Sequence, residues 1–469
     1  MQLRPTTTPD QPTATLELRH AIAIIAGVVI GAGIFKSPAL VAGMAGSTAW
    51  MFAAWALGGV VSLIGALCYA ELATTYPSAG GDYHFLHRAF GRNVSFLFAW
   101  SRFTVITTGS IALLGFVFGD YMQQLLPLGV HGEALYAAGS VAVLTFVNLR
   151  GVRTGARTQG WLTVVEVGGL ALIVLAGLYL WLGGPAAGSM IAAPAAAPEA
   201  TSGFSLSGFG MAMVFVLLTY GGWNEAAYIS AELKGSKRNM VRALVWSIGI
   251  ITVIYLGVNW AYWRALGLTG MASSDAIAAT VLNRAFGNIG GDLIAGLIAV
   301  SALTSINATM IVGARTNFAA ARDWPALGRV GEWEAGRGGP RTAYWVQGAA
   351  ALVLIVIGSA ADSGFRTMVE FTAPVFWLFF MLTGLALFVL RMRDPARPRP
   401  YSVPLYPLLP AIFVLTCASM LWSSLSFVSS QSLGGFNAAW IGVAVLVVGG
   451  IVLAGMHIGS GSSRQRLQE

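Results

Sequence analysis

The sequence predicts an all-α polytopic membrane protein with about twelve transmembrane helices. Three observations indicate this fold class. The chain has 469 residues, of which 56% are hydrophobic and only 10% are charged, whereas soluble domains carry about 25% charged residues. Apolar runs near the length of about 20 residues that crosses a bilayer recur along the whole chain. Lys and Arg residues cluster in alternate segments between these runs, as expected of a chain that crosses a membrane repeatedly.

Twelve apolar runs define the predicted spans. They begin near Ala21, Ala49, Val94, Leu135, Trp161, Phe209, Ala243, Leu293, Tyr344, Met368, Leu408 and Ala438. The resulting organisation has six parts. They are a cytoplasmic tail at 1–19, spans 1 to 5 at 20–182, an external loop rich in Pro and Ala at 183–204, spans 6 to 10 at 205–392, spans 11 and 12 at 393–458, and a second cytoplasmic tail at 459–469.

The Lys and Arg residues orient the spans. Of the 27 Lys and Arg residues, about 22 precede span 1, follow an even-numbered span or lie in the C-terminal tail. Only Arg264, Arg284 and Arg366 lie in the opposite loops. Basic loops stay in the cytoplasm, so we expect both termini there and the protein in the cytoplasmic membrane. This topology also explains the net charge of +8 without a nucleic-acid partner.

Two spans carry glycine near their middle. Span 1 contains GVVIGAGIFKSP, and Gly31 lies roughly 16 Å beyond His20 at 1.5 Å per residue, close to the midplane of a core about 30 Å thick. Span 6 contains TYGGWNE, and Gly221 and Gly222 lie at a similar depth beyond Phe209. The two spans run in opposite directions, which predicts that spans 1–5 and 6–10 form an inverted repeat.

A helix break at half depth exposes backbone groups that can bind a ligand. Irregular backbone is tolerated in a membrane only where it lines a cavity or meets a partner. N–H groups at the start of the second half-helix attract an anion, and carbonyl groups at the end of the first attract a cation. A zwitterionic α-amino acid offers both charges within a few ångströms. The alternative is that these glycines only allow close helix packing.

Several motifs resemble the amino acid–polyamine–organocation transporter superfamily, especially its bacterial amino acid permeases and L-type amino acid exchangers. The matching stretches occur in order along nearly the whole chain. They are VVIGAGIFKSPA in span 1, ELATTYPSAGGDYHFLHRAFG after span 2, NLRGVRTGARTQ between spans 4 and 5, YGGWNEAAYISAELKGSKRNM in span 6, and RPRPYSVPLYPLLP before span 11.

The resemblance implies a LeuT-type fold of five plus five helices, with helices 1 and 6 broken and an amino acid bound between the breaks. By position, the substrate carboxylate would meet N–H groups near Ala32 and Gly33. The ammonium would meet the carbonyl groups of Val29, Leu218 and Gly221, and Trp223 and Asn224 would shape the pocket or its gate. The implied substrate-binding set is Val29, Ile30, Gly31, Ala32, Gly33, Leu218, Tyr220, Gly221, Gly222, Trp223 and Asn224.

The sequence departs from this family at three positions. Ala32 replaces a serine of many relatives, so a carboxylate there would rely on backbone donors. Leu218 stands where many exchangers have an aromatic gate, a role that Tyr220 or Trp223 could take. Glu166 replaces a lysine of many cation-independent relatives.

Glu166 is the main candidate for coupling transport to an ion. It lies about nine residues past Arg157, or roughly 13 Å into the membrane, where an ionisable side chain is expected to be functional. Three roles stay open. Glu166 could exchange a proton, help bind Na⁺ beside Thr304 and Ser305, or pair structurally with a buried cation such as Arg102.

Two further acidic residues have different expected roles. Glu225 follows the span 6 break and could favour a cationic substrate, assist coupling or serve a structural task. Glu71 lies at a helix end beside basic loops, where a surface ion pair is expected. The predicted coupling set is Glu166, Glu225, Thr304 and Ser305.

The predicted function is secondary active transport of amino acids by alternating access, as proton-coupled uptake or as exchange. The alternatives are an antiporter of polyamines or cationic amino acids, and a membrane amino acid sensor. No enzyme, metal or cofactor is expected, since the five histidines form no ligand motif. They are His20, His84, His87, His131 and His457, all near span ends or in loops.

Overall fold

The computed structural model describes residues 18–31, 33–78, 80–150, 152–182, 205–229, 238–274, 276–332, 340–359, 364–429 and 444–456. These residues form sixteen α-helices, a π-helix and two 3₁₀ helices. The α-helices are α1 Leu18–Val29, α2 Gly33–Ala45, α3 Thr48–Thr75, α4 Asp82–Phe90, α5 Arg92–Ser101, α6 Thr107–Leu125, α7 Gly132–Leu149, α8 Val152–Trp181, α9 Leu206–Thr219, α10 Arg238–Ala272, α11 Ile277–Phe286, α12 Asn288–Asp323, α13 Arg341–Gly358, α14 Gly364–Arg393, α15 Leu408–Ser429 and α16 Ala444–Met456.

The helices confirm a polytopic membrane protein of the predicted class. Within the described residues, ten helical segments are long and apolar enough to cross a membrane. Helices α1 and α2 form span 1 in two halves, and the shorter apolar helix α16 occupies the place of span 12. We call the membrane side at which α1 begins the N-side, and the opposite one the far side.

Spans of the first half pack against their counterparts in the second half. Helix α2 contacts α9, α3 contacts α10, α6 contacts α12 and α7 contacts α13. A short helix also comes after the second span of each half, α4 in the first and α11 in the second. Spans at equivalent positions of the two predicted halves are thus neighbours in the structure.

Span 3 is interrupted by a π-helix at Arg102–Ile106, between α5 and α6. The hydroxyl of Thr108 donates to the carbonyl of Phe103, five residues earlier, at 2.8 Å. This side-chain hydrogen bond spans the same five-residue separation as the backbone hydrogen bonds of a π-helix. Such π-bulges are rare and often occur at functional sites. The bulge here turns Arg102 into the molecule, where its side chain is buried.

Glu71 is buried and does not form the expected surface pair. Only 1% of this residue is exposed, because α14 and the segment before α15 cover the end of α3. Its carboxylate accepts from Arg391 Nε at 2.7 Å and from the backbone N–H of Val403 at 2.7 Å. The segment that leads into span 11 is therefore fastened to the first half of the chain.

Candidate substrate site between the two helix breaks

Span 1 breaks between Val29 and Gly33. The α1 hydrogen-bond ladder ends where Ile30 N–H donates to Ala26 O at 2.7 Å, and the next bond, from Ile34 N–H to Gly31 O, is 3.4 Å long. A Cβ atom at Gly31 would lie 2.9 Å from the Ser305 hydroxyl, so glycine allows this close approach to α12. Ala32 lies outside the described residues.

Span 6 breaks immediately after α9. Gly221 N–H donates to Leu218 O at 3.0 Å, and Glu225 N–H donates to Gly222 O at 3.0 Å, which starts the 3₁₀ helix Trp223–Ile229. Gly222 has a φ of +107°, and a Cβ atom there would lie 3.1 Å from the carbonyl oxygen of Val28. The backbones of the two breaks are thus in direct contact.

Tyr255 of α10 joins the two breaks. Its hydroxyl lies 2.9 Å from Val29 O and 3.1 Å from Thr219 O, so one donor is shared by the ends of α1 and α9. Nothing near Tyr255 in the sequence marks this role, and sequence reasoning missed it. The carbonyl of Val29 still has a second lone pair available to a ligand.

A cavity of about 240 Å³ lies beside the breaks. Nine predicted site residues lie in its wall, namely Val29, Gly31, Gly33, Leu218, Gly221, Gly222, Asn224, Glu225 and Ser305. The rest of the described wall comes mainly from the π-helix, α6, α12 and α14. The predicted residues that the described wall does not include are Ile30, Tyr220, Trp223, Thr304 and Glu166.

Tyr220 and Trp223 lie behind the span 6 break, packed against α3, rather than in the cavity. The Tyr220 hydroxyl donates to Trp55 O at 3.1 Å. Trp223 packs edge-on against Tyr69, and its ring fits over Gly65, where a Cβ atom would lie 2.7 Å from Trp223. The aromatic side chains of the cavity wall instead include Phe98, Phe376, Phe379 and Phe380, which sequence reasoning missed.

Arg102 forms an ion pair with Glu225 across the cavity wall. Arg102 Nη2 lies 2.9 Å from one carboxylate oxygen and 3.0 Å from the other. The side chains are 7% and 19% exposed. The ion pair of Arg102 in the described residues is thus with Glu225, and Glu225 is not an isolated carboxylate.

Glu166 of α8 is buried and accepts a hydrogen bond from Ser301 of α12. Ser301 and Ser305 share one face of α12, because residues four apart are neighbours on a helix. Ser305 lines the cavity and lies beside Gly31, whereas the Thr304 hydroxyl donates to Val300 O at 2.9 Å within α12. One serine-bearing face of α12 thus lies between Glu166 and the span 1 break.

Two contacts join the elements on the far side of the breaks. Lys36 of α2 lies 2.7 Å from a carboxylate oxygen of Asp120 on α6, and the Thr219 hydroxyl donates to the Ser37 hydroxyl at 2.7 Å. On the N-side the cavity extends instead to Asp82, the first residue of α4. The described cavity wall includes Asp82, whereas Lys36 and Asp120 are not part of it.

Comparison with known proteins identifies the family to which this architecture belongs. The profile of the family described as amino acid permease matches residues 16–453. The chain belongs to the amino acid permease family. It is accordingly an integral membrane transporter of amino acids and not an enzyme.

Individual relatives of this permease are amino acid transporters from bacteria and mammals. Large neutral amino acids transporter small subunit 2 of Mus musculus is 30% identical over 87% of this chain and 76% of its own length. The serine/threonine exchanger SteT of Bacillus subtilis (strain 168) is 28% identical over 87% of this chain and 90% of its own. The b(0,+)-type amino acid transporter 1 of Mus musculus is 30% identical over 85% of this chain and 80% of its own length.

Proposed function

We propose that this permease binds the zwitterion of an α-amino acid between its two helix breaks and carries it across the cytoplasmic membrane by alternating access. The observation that supports this function best is the contact between the breaks at Gly222 and Val28, beside a cavity. Two opposed helix breaks supply hydrogen-bond donors and acceptors at one point, as both ends of a zwitterion require.

The two ends of the substrate meet different parts of this site. Its carboxylate binds the N–H groups of Gly31, Ala32 and Gly33 at the start of α2, where the helix dipole favours an anion. Its ammonium binds carbonyl groups at the ends of the first half-helices, with those of Val29 and Gly221 as the main acceptors. The side chain then extends toward Asn224 and the ion pair beyond it.

Alternating access requires contacts on each side of the breaks that open and close in turn. Lys36–Asp120 and Thr219–Ser37 connect elements on the far side, while the cavity extends to Asp82 on the N-side. By the distribution of Lys and Arg, the N-side is the cytoplasm. We propose that the two far-side contacts close the external side in this conformation.

Uptake of labelled amino acids into vesicles tests the function directly. Purified permease in liposomes is presented with a panel of neutral, cationic and anionic amino acids and with polyamines, with protein-free liposomes as the control. Accumulation of an amino acid supports transport, and stimulation by internal unlabelled substrate indicates exchange. Binding without accumulation supports the sensor, and uptake of polyamines alone supports the polyamine antiporter.

Glu166 is proposed to carry the coupling proton. An ionised carboxylate deep in a membrane protein needs compensating charge, and the hydrogen-bond partner in the structure is the neutral hydroxyl of Ser301. A protonated carboxyl group needs no such compensating charge. Proton release in the alternate state would then link the transport cycle to the proton gradient.

Glu166→Gln tests the coupling. The amide keeps the shape of the side chain and a hydrogen-bond acceptor for Ser301, but it cannot release a proton. We expect an imposed pH gradient to lose its effect on uptake, while exchange at equal pH is retained. Ser301→Ala is the matched control and should keep the pH response. An unchanged pH dependence in Glu166→Gln would eliminate the proton hypothesis, and stimulation by a sodium gradient would favour the Na⁺ role.

A further inference from the structure

The ion pair between Arg102 and Glu225 is a feature that backbone recognition of a zwitterion does not require. It lies in the wall of the cavity, on the side toward which the proposed binding mode directs the substrate side chain. Glu225 is three residues beyond Gly222, and Arg102 opens the π-helix of span 3. The substrate side chain therefore meets a guanidinium and a carboxylate that neutralise each other.

The described cavity wall carries one guanidinium and two carboxylates, and the guanidinium is paired with one of the two. Its charged side chains are those of Asp82, Arg102 and Glu225. Asp82 begins α4, so the positive end of that helix dipole offsets its charge, and the Thr383 hydroxyl donates to it at 3.3 Å. Arg102 and Glu225 compensate one another at 2.9 Å, so this pair carries no net charge, and the formal excess of one negative charge in the described wall belongs to Asp82.

We propose that the Arg102–Glu225 ion pair is the charge filter of the permease, which restricts its substrates to amino acids with uncharged side chains. This inference rests on the proposed function and names the residues that determine its specificity.

The filter works by electrostatic exclusion. An acidic side chain in the cavity is repelled by Glu225 and reaches Arg102 only by displacing that carboxylate. A basic side chain is repelled by Arg102 and reaches Glu225 only by displacing that guanidinium. Like charges brought together at a desolvated site repel each other strongly, and a protein rejects a competing ligand efficiently by such repulsion. An uncharged side chain leaves the pair intact.

Neutralising one partner should convert the specificity. In Glu225→Gln the guanidinium of Arg102 remains in the cavity without its carboxylate, and a substrate with an acidic side chain restores the balance. In Arg102→Gln the carboxylate of Glu225 remains, and a basic side chain restores it. In Arg102→Gln/Glu225→Gln both partners of the pair are uncharged and the net charge of the described wall equals that of the wild type, so uncharged substrates should again be preferred.

The experiment is competition of unlabelled glutamate, lysine and serine against uptake of the neutral amino acid that the wild type accumulates best. We expect Glu225→Gln to shift the ratio of inhibition by glutamate to inhibition by lysine about tenfold or more toward glutamate, and Arg102→Gln to shift it equally toward lysine. The double variant should show neither shift. Arg264→Gln, which neutralises an exposed arginine outside the described cavity wall, is the matched control and should leave the ratio near that of the wild type.

A second measurement covers variants that transport poorly. Glutamate should raise the unfolding temperature of detergent-solubilised Glu225→Gln more than lysine does, and Arg102→Gln should show the reverse. Unchanged ratios in both single variants, or a wild type that prefers charged over neutral amino acids, would overturn the filter while transport itself stands. A wild type that neither binds nor accumulates any amino acid would instead refute the proposed function.

Discussion

At the scale of single residues, the site depends on backbone atoms that approach each other closely. Gly222 has a φ of +107°, a conformation that residues with a Cβ atom rarely adopt, and Val28 O lies 3.1 Å from where that Cβ would be. Gly31 allows the Ser305 hydroxyl to approach in a similar way. Side chains cannot replace these contacts, because the helix breaks themselves present the binding groups.

Gly222→Ala should therefore weaken substrate binding. Backbone strain at such a residue costs about 1 to 3 kcal/mol, and relief of that strain would separate the two breaks. We expect the dissociation constant for the preferred amino acid to rise about tenfold or more, measured by ligand-dependent thermal shift. Gly249→Ala in α10 is the matched control, since a Cβ atom there meets nothing within 4 Å. Equal affinities in the two variants would contradict the backbone site.

The positions of the glycines could be read from the sequence, but the partners of individual side chains could not. GAGIF and YGGWN predict breaks because glycine is a poor helix former, and the helices end there. Tyr220 and Trp223 carry no signal for which side of span 6 they occupy. Gly58 and Gly65 of α3, which make room for these two rings, are separated from them by more than 150 positions. Such contacts depend on tertiary packing.

At the scale of elements, α2 is held to α6 on the far side of the breaks. Lys36 Nζ lies 2.7 Å from Asp120 Oδ2, with side chains that are 19% and 27% exposed, and 5.4 Å from the centre of the Tyr121 ring. If α2 moves away from α6 when the far side opens, this ion pair must break. The pair then stabilises the state in which the far side is closed.

Lys36→Met should shift the permease toward opening on the far side. The Lys36–Asp120 ion pair should stabilise the closed far side by an amount between the roughly 0.5 kcal/mol of an exposed ion pair and the roughly 3 kcal/mol or more of a buried one. We expect a cysteine introduced at Ser110 in the cavity wall to react faster with an impermeant thiol reagent applied from the far side. The background would lack Cys68 and Cys417, which are buried.

The charge-swapped variant Lys36→Asp/Asp120→Lys is the matched control for the Lys36–Asp120 ion pair. It keeps an ion pair between α2 and α6 and should return the reaction rate of the Ser110 cysteine toward that of the parent protein. If both variants react at the parental rate, the pair does not stabilise the closed far side. If the swapped variant is as reactive as Lys36→Met, the effect comes from altered packing around Lys36 rather than from the charge pair.

Long elements were predictable, and short ones were not. The twelve apolar runs identify the spans because each must cross the hydrocarbon core. Helices α4 and α11 have only 9 and 10 residues, which is too short for a reliable periodic signal. Yet α4 places Asp82 in the cavity wall. Short helices at the ends of spans thus contribute to the site without a clear trace in the sequence.

At the scale of the whole molecule, Glu71 connects the first half of the chain to the helices beyond the repeat. Its carboxylate accepts from Arg391 at the end of α14 and from the backbone of Val403 before α15, at 2.7 Å each. Arg399 Nε lies further away, at 3.5 Å. Helix α15 also packs against α3, α9 and α14, so this carboxylate fastens a segment that covers both halves.

Glu71→Gln should destabilise the permease without changing its substrate preference. The amide leaves the partly buried Arg391 without its countercharge, and breaking a buried pair from one side costs about 3 kcal/mol or more. We expect a clear fall in the unfolding temperature of the detergent-solubilised protein, while the relative inhibition by glutamate, lysine and serine stays that of the wild type. Arg399→Gln is the matched control and should lower the unfolding temperature less, because its contact with Glu71 is longer. Equal decreases of the unfolding temperature in the two variants would mean that the segment with Arg391 and Arg399 acts through its total charge. A changed substrate preference in Glu71→Gln would mean that the contacts of Glu71 also shape the cavity.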